Sequence, residues 1–157
     1  MKLRMIDRVS ACDPWKSIQG QKMWISDECL TNNSLQKEKE PPLLSASLVL
    51  DAFRQLAMWL IVYSSEFQQT GLLHQVDRFH LMRWQETSDW LYVTLDVTSQ
   101  KNHSILFEGH ALTGSQLVAW VGGLELSILP ISNPENIEEF ETLWKAIQTR
   151  RPLDKSL

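Results

Sequence analysis

The sequence predicts an α+β fold in which a curved antiparallel sheet wraps around one long central helix, followed by a C-terminal amphipathic helix. Three observations lead to this prediction. Residues 43–63 are apolar at nearly every position, and a helix that is hydrophobic all round is normally buried. Residues 72–129 mostly alternate between apolar and polar side chains, which is typical of strands. Residues 133–157 return to a helical period, with apolar side chains on one face.

The segment before the central helix contains short elements separated by turn signals. Residues 4–9 form a short segment in which Met5, Ile6 and Val9 are apolar, and the Asp13-Pro14 pair then breaks it. A strand is predicted over residues 17–25. The polar stretch of residues 26–42 ends in two prolines, which favour extended backbone just before the helix.

Several strands are predicted after the central helix, with turn signals between them. The alternation is cleanest in residues 90–98, where Leu91, Val93 and Leu95 fall on one face. A tight connection at residues 113–115 joins the last two strands. The predicted strands are residues 72–84, 90–98, 104–112 and 116–129.

The tail is predicted to form a separate helix. Ser132 or Asn133 can cap its first turn, and Pro134 suits its first position. Acidic residues come first and basic residues last, which complements the helix dipole. We therefore divide the chain into a main domain of residues 1–132 and a helical extension of residues 133–157.

Composition is typical of a soluble globular protein. The chain has 157 residues and a net charge of −4, which argues against a nucleic-acid binder. Cys12 and Cys29 show neither metal-site spacing nor a disulfide framework, so a reduced, cytoplasmic setting is the simplest inference. The first residues lack the sustained apolar region of a secretion signal. We expect no metal ion and no cofactor.

Two ionisable residues lie near the middle of the apolar run 43–63. The run is long enough to span a bilayer, but Asp51 and Arg54 would each cost at least ~2.5–3.5 kcal/mol at mid-membrane. We therefore expect no membrane span. Two hypotheses about Asp51 remain open: a structural residue paired with Arg54, with Gln55 adding a hydrogen bond, or a functional carboxylate in an apolar cleft.

Residues 48–56, with the sequence Leu-Val-Leu-Asp-Ala-Phe-Arg-Gln-Leu, resemble the central helix of the bacterial 3-hydroxyacyl-acyl-carrier-protein dehydratases. In that helix the catalytic acid is followed by Ala and, four residues after the acid, by Gln. The aspartate form is most similar to the decanoyl-type dehydratase/isomerase branch. Further similarities lie at residues 5–9, at Arg78-Phe79 and at residues 113–119. The resemblance covers residues 2–130.

The resemblance implies the hot-dog fold and a homodimer in which two sheets join edge to edge, with each acyl tunnel at the interface. In the family, a histidine removes the α-proton of the acyl thioester, and the helix carboxylate helps the β-hydroxyl leave as water. Asp51 matches that catalytic carboxylate. The family's oxyanion donor, a backbone N–H at the helix start, matches Ala46. We place Ala46, Ser47 and Gln55 in the substrate-binding part of the site.

The family's histidine is absent from the matching position. Counted back from Asp51, that position is Lys37, and the loop glycines that surround it in the family are missing as well. No histidine precedes His74 in the chain. The histidines that do occur are predicted to be structural or surface residues: His74, His80, His103 and His110.

Three functions remain open at this point. The first is a dehydratase-like protein that binds acyl thioesters on acyl carrier protein or CoA, with altered or lost dehydratase activity. The second is an acyl-CoA or acyl-carrier-protein thioesterase that uses the helix carboxylate. The third is a catalytically silent acyl-binding or partner subunit. Carrier proteins are acidic and this chain is negative, so docking requires a basic patch, for which Arg78 and Arg83 are the candidates.

Overall fold

The computed structural model of the chain describes residues 6–23, 46–82 and 90–149. Most of these residues belong to regular elements. In chain order the elements are β1 (Arg8–Asp13), β2 (Ser17–Met23), α1 (Ala46–Ser64), β3 (Gln69–Leu81), β4 (Trp90–Gln100), β5 (Ser104–Thr113), β6 (Gln116–Pro130) and α2 (Pro134–Thr149).

The six strands form one antiparallel sheet in the order β1-β2-β4-β5-β6-β3. Strands β4, β5 and β6 form a meander, and the β5–β6 turn contains Gly114 in the left-handed region at φ 62°. β3 follows α1 and pairs with β6 rather than with β4. It therefore lies at one edge of the sheet, and β1 lies at the other.

Alternation divides the sheet into an inner face, which packs against α1, and an outer face. Leu91, Val93 and Leu95 of β4 are buried on the inner face, as their spacing predicts. Phe79 of β3 pairs with Val121 of β6 on the same face. Its ring meets Phe53 of α1 edge-on, with 6.4 Å between the centroids.

α1 packs closely on the inner face because two strand glycines leave room for it. A Cβ on Gly20 would lie 2.8 Å from Leu56 Cδ1, and one on Gly71 would lie 2.5 Å from Ile61 Cδ1. The buried residues of α1 run along most of its length: Val49, Ala52, Phe53, Gln55, Leu56, Ala57, Met58, Trp59, Leu60, Ile61 and Val62.

α2 packs on the C-terminal half of α1 through aromatic rings. Trp144 stacks on Tyr63, with centroids 4.7 Å apart and planes 20° apart, and its centroid is 5.5 Å from that of Trp59. Phe140 meets Trp59 edge-on at 5.7 Å. Aromatic pairs of this kind contribute about 0.5–1.5 kcal/mol beyond the burial of their area.

The predicted elements are found, with shifted boundaries. The short segment before the Asp13-Pro14 break, which the sequence does not assign to a strand, contains β1 (Arg8–Asp13), and the predicted break is a turn. Asn133 is the helix cap, because its Oδ1 accepts a hydrogen bond from the Glu135 N–H at 3.0 Å. The extended stretch predicted at 26–42 lies outside the described residues.

α1 is the one described helix long and apolar enough to cross a membrane by length and composition. In this structure 61% of its most apolar window is buried inside the chain. The helix forms the centre of a packed core, and the core helices of soluble proteins have the same composition.

The close approach of β4 and β5 at Gly109 leads to a stability prediction. A Cβ at Gly109 would collide with the carbonyl oxygen of Thr94 and lie 2.5 Å from Leu95 Cδ2. We expect Gly109→Ala to lower the free energy of unfolding by about 1–3 kcal/mol or more. Gly114→Ala, at an open turn, should cost only about 1 kcal/mol through its positive φ. Equal losses in urea unfolding would contradict the close approach.

Candidate functional site

The first two turns of α1 carry a polar stripe formed by Ser47, Asp51 and Arg54. These residues lie about one turn apart, which places their side chains on one side of the helix. Ser47 is exposed, and the side chains of Asp51 and Arg54 are 37% and 28% exposed. Met58, the next residue along this side, is buried, so the open part of the stripe ends there.

Asp51 and Arg54 form an ion pair within the stripe. Arg54 Nε donates a hydrogen bond to Asp51 Oδ1 at 2.5 Å, as the structural hypothesis predicts. An exposed pair at this spacing contributes only about 0.3–0.5 kcal/mol to stability. Within the described part of the chain, Asp51 Oδ2 accepts no hydrogen bond. One carboxylate oxygen is therefore held by Arg54, and the other is available to a water molecule or a ligand.

Gln55 lies in a different environment from Asp51. Its side chain is only 1% exposed, within the packed part of α1, whereas Asp51 is partly open to solvent. The sequence motif places these two residues one turn apart, and the structure shows that they face different surroundings. A ligand that reaches Asp51 from solvent does not meet Gln55 on the same open surface.

Ala46 begins α1 and is exposed. The N–H groups of a first helical turn have no acceptor within the helix, and the helix dipole is positive there. At 1.5 Å per residue, Ala46 lies about 7.5 Å along the helix axis from Asp51. The two residues can therefore contact different atoms of one extended ligand.

The C-terminal half of α1 offers no comparable opening, because α2 covers it. A surface cleft of about 390 Å³ does lie near that half, where β3 begins, β6 ends and α2 starts. Its lining includes Thr70, Asn136, Glu139 and Phe140 and no residue of the polar stripe. Asp51, in the first turns, is thus the carboxylate of α1 that solvent can reach.

All four histidines of the chain are exposed. His80 and His110 lie on the outer face of the sheet, where both pair with Trp120. His74 lies at a β-bulge of β3, and His103 lies in the β4–β5 turn. No hydrogen bond joins any of them to Asp51. Among the described residues of one protomer, no histidine stands beside the carboxylate as the general base of the dehydratase mechanism.

Arg78, the described member of the predicted docking pair, stands on the outer face at the edge of the sheet. Its guanidinium carbon is 5.8 Å from the centroid of the Trp120 ring, and His80 stacks on the same ring at 5.1 Å. Arg83 lies outside the described residues. Sequence alternation predicts which face Trp120 occupies, but its contacts depend on the β3–β6 register, which the sequence does not specify.

Cys12 is a partly buried free thiol. Burial, with a smaller contribution from the neighbouring Asp13 carboxylate, raises the pKa of the Cys12 thiol to about 11. The reactive thiolate is therefore scarce at neutral pH. Among residues 6–23, 46–82 and 90–149, no group of three or more His, Cys, Asp or Glu side chains could hold a metal ion.

We expect Cys12 to be alkylated slowly in the folded protein. A Cys29→Ser background isolates its reaction with iodoacetamide, followed by mass spectrometry across a pH series. An unperturbed thiol has a pKa of ~8.5, so at pH 8 the native rate should be about two orders of magnitude below that in urea. The native rate should keep rising toward pH 11. Equal rates in the native and urea-unfolded chain would contradict this environment.

Comparison with known proteins concerns the fold. No family model matches the chain, and no curated protein matches its sequence. AziG from S. sahachiroi matches in structure with a TM-score of 0.61 and 11% identity, over 79% of this chain and 91% of that one. A mutant of thioesterase PA1618 from Pseudomonas aeruginosa gives 0.59 and 11%, over 79% and 81%. Conserved protein PA5202 from the same organism gives 0.60 and 10%, over 78% and 87%.

The matches cover 78% to 79% of this chain, whose described part is a six-stranded antiparallel sheet with a helix packed on it. The chain has the hot-dog fold. At 10% to 11% identity the likeness shows the fold alone. It agrees with the fold implied by the sequence resemblance and does not single out the dehydratase branch. The likeness therefore carries no activity over to this hot-dog protein.

Proposed function

We propose that this hot-dog protein binds acyl thioesters and hydrolyses them with Asp51 as the general base. One observation carries the proposal: the Asp51 carboxylate is partly exposed on the first turns of α1, held through Oδ1 and open at Oδ2. A single carboxylate beside a helix N-terminus is sufficient for general-base hydrolysis. One of the structural neighbours is named a thioesterase, which is consistent with this choice.

In the proposed reaction, Asp51 Oδ2 accepts a proton from a water molecule as the water oxygen attacks the thioester carbonyl carbon. The C=O π electrons move onto the carbonyl oxygen, which becomes an oxyanion near the first N–H groups of α1. Collapse of this intermediate re-forms the C=O bond and breaks the C–S bond. The sulfur leaves as a thiolate and takes the proton from Asp51, so the products are a carboxylic acid and a free thiol.

The other residues are proposed to bind and position the substrate. The Ala46 N–H donates to the carbonyl oxygen, and the Ser47 hydroxyl lies on the same exposed stripe one turn before Asp51. Gln55 is proposed as a substrate-binding residue reached only from the packed side of α1. Arg54 is a positioning residue, because its Nε–H fixes one oxygen of the carboxylate.

The proposed substrates are acyl chains carried on phosphopantetheine, from CoA or an acyl carrier protein. Arg78 and Arg83 are the proposed docking residues for the acidic carrier, and Arg78 makes no ion pair with any described residue that would occupy its charge. We also propose a homodimer joined through β3. It is an edge strand of 13 residues with Leu72 60% exposed, and such edges favour pairing with another strand.

Free-thiol release tests the proposal. The purified protein is incubated with short-, medium- and long-chain acyl-CoA, and released CoA is measured with a chromogenic disulfide. We expect release above the uncatalysed rate for at least one chain length. Parallel incubation with a 3-hydroxyacyl thioester should give free thiol and no enoyl product. Enoyl product without thiol release would favour the dehydratase hypothesis, and neither product from any substrate would contradict both enzymatic functions.

A second candidate function is a catalytically silent acyl-binding or partner subunit. The Asp51–Arg54 ion pair supports it, because a carboxylate paired in this way also occurs as a purely structural feature. The two functions differ in their response to one substitution. In a silent subunit, Asp51→Asn changes stability slightly and leaves any acyl binding intact, with no turnover to lose.

A further inference from the structure

Two rows of side chains cross the outer face of the sheet at right angles to the strands. Each row takes one residue from each of β3, β6, β5 and β4, as the pairing register shows. The charged row reads Arg78, Gly122, Glu108 and Asp96, and the aromatic row reads His80, Trp120, His110 and Thr94.

The charged row has opposite signs at its two ends and no pairing within the described part of the chain. Asp96 and Glu108 face each other directly across β4 and β5, an arrangement that destabilises a sheet through like-charge repulsion. The backbones of Arg78 and Glu108 are separated by β6, about 9–10 Å at the usual strand spacing. The Arg78 guanidinium lies over Gly122 of β6, where a Cβ would be 2.9 Å from its Nη2. None of the three forms an ion pair with another described residue.

Apolar side chains lie beside these rows on the same face. Tyr92 and Leu117 are 40% and 39% exposed, and Leu112 lies between them in a third row. Trp120 stands in the middle of the neighbouring row, only partly buried under His80 and Arg78. An apolar and aromatic centre with charges at its margin is the usual composition of a protein interface.

We propose that the outer face of β3, β6, β5 and β4 is an interface with a second copy of this chain. The outer faces of the two copies face each other across a two-fold axis. This axis lies between the two sheets, runs parallel to the strands and passes over the boundary of β5 and β6. Rotation about this axis places β3 of each copy opposite β4 of the other and β6 opposite β5. Arg78 then faces Asp96 of the second copy, with Glu108 alongside, and the same contact forms twice.

The charge pattern favours a second copy over another partner. The interface is self-complementary, since the basic end of the charged row fits the acidic end of the same row reversed. Trp120 meets His110 of the second copy in the adjacent row, and the Asp96–Glu108 repulsion is relieved by an arginine. With a net charge of −4, two copies repel each other overall, so association requires a local match of this kind.

The inference is independent of the proposed hydrolysis at Asp51 and of the proposed β3 edge dimer, although it gives Arg78 a different partner from the proposed carrier docking. Edge pairing uses the backbone groups of β3, whereas this interface uses side chains of the outer face. Sedimentation velocity and native mass spectrometry therefore test it without substrate. Relative to the wild type, Arg78→Glu should halve the mass of the assembly, and the double variant Asp96→Arg/Glu108→Arg should do the same. Lys16→Glu, an equal charge change at an exposed turn of the distant edge, should leave the mass unchanged.

The decisive test mixes Arg78→Glu with the double variant Asp96→Arg/Glu108→Arg. In a mixed complex the new carboxylate at position 78 faces the new arginines of the other chain, and the native Arg78 of that chain faces native Asp96. An equimolar mixture should therefore recover the wild-type mass although neither variant does so alone. Circular dichroism of each variant confirms that it is folded. A monomeric wild type, unchanged masses in both variants, or no recovery on mixing would each overturn the proposal.

Discussion

Asp51→Asn is expected to lower the rate of acyl-CoA hydrolysis by about 10²–10⁴-fold, because the amide cannot accept the proton of the attacking water. The substitution keeps the size of the side chain, and its carbonyl oxygen can still accept the Arg54 Nε–H. KM should change much less than kcat, since the substrate contacts on either side of the carboxylate remain. The measurement is free-thiol release under saturating and limiting substrate.

Two further variants make this result specific. Arg54→Gln removes the positioning contact while leaving Asp51 charged, so we expect a smaller loss of kcat than for Asp51→Asn. Glu66→Gln changes an exposed carboxylate beyond the end of α1 and should have no effect. Equal turnover in the wild type and Asp51→Asn would exclude Asp51 as the base and favour the silent subunit.

Trp144→Ala is expected to cause the largest loss of stability, about 3–5 kcal/mol in the free energy of unfolding. The Trp144 side chain is 4% exposed and connects α2 to Tyr63 and Trp59 of the central helix. Its removal leaves a cavity between the helices and breaks two ring contacts. Urea unfolding followed by circular dichroism measures the loss.

Gln148→Ala is the matched control, because Gln148 lies on the exposed side of the same helix. It should change the free energy of unfolding by no more than about 0.5 kcal/mol. If Trp144→Ala were equally mild, α2 would be a loosely attached extension rather than part of the core. Trp144→Phe should recover part of the lost stability, since it retains an aromatic ring between the helices.

Much of the fold can be predicted from periodicity. Residues 43–63 are too uniformly apolar for a surface helix, and residues 90–98 alternate too regularly for anything but a half-buried strand. Whether a segment forms a helix or a strand is therefore decided by its local sequence. The cap at Asn133 is equally local, because its side chain bonds a backbone group two residues away.

Other features depend on long-range register, which local patterns do not encode. The pairing of β3 with β6 brings Arg78 and His80 to Trp120, although these residues are far apart in the sequence. The packing of α2 on Trp59 is a further example, since an amphipathic helix shows that it has an apolar face but not what covers it. Neither feature lies at Asp51, because the first is on the outer face of the sheet and the second is at the C-terminal half of α1.

The resemblance to dehydratases is informative about the helix and less so about the chemistry. The Asp-Ala motif falls on the central helix of a hot-dog fold, as the resemblance implies. Its second polar residue, Gln55, is buried, and the chain has no histidine hydrogen-bonded to Asp51. A mechanism that needs one carboxylate and one water molecule fits these residues better than one that needs a carboxylate and a histidine.

The central claim is that an acyl thioester binds against the first turns of α1, at Asp51. Solution NMR with a non-hydrolysable thioether analogue of acyl-CoA tests this most directly, because it locates the ligand without depending on turnover. The account predicts that the largest amide shift changes fall between Ala46 and Arg54, and that they persist in Asp51→Asn. Shift changes confined to other parts of the chain, or none at saturating analogue, would contradict it.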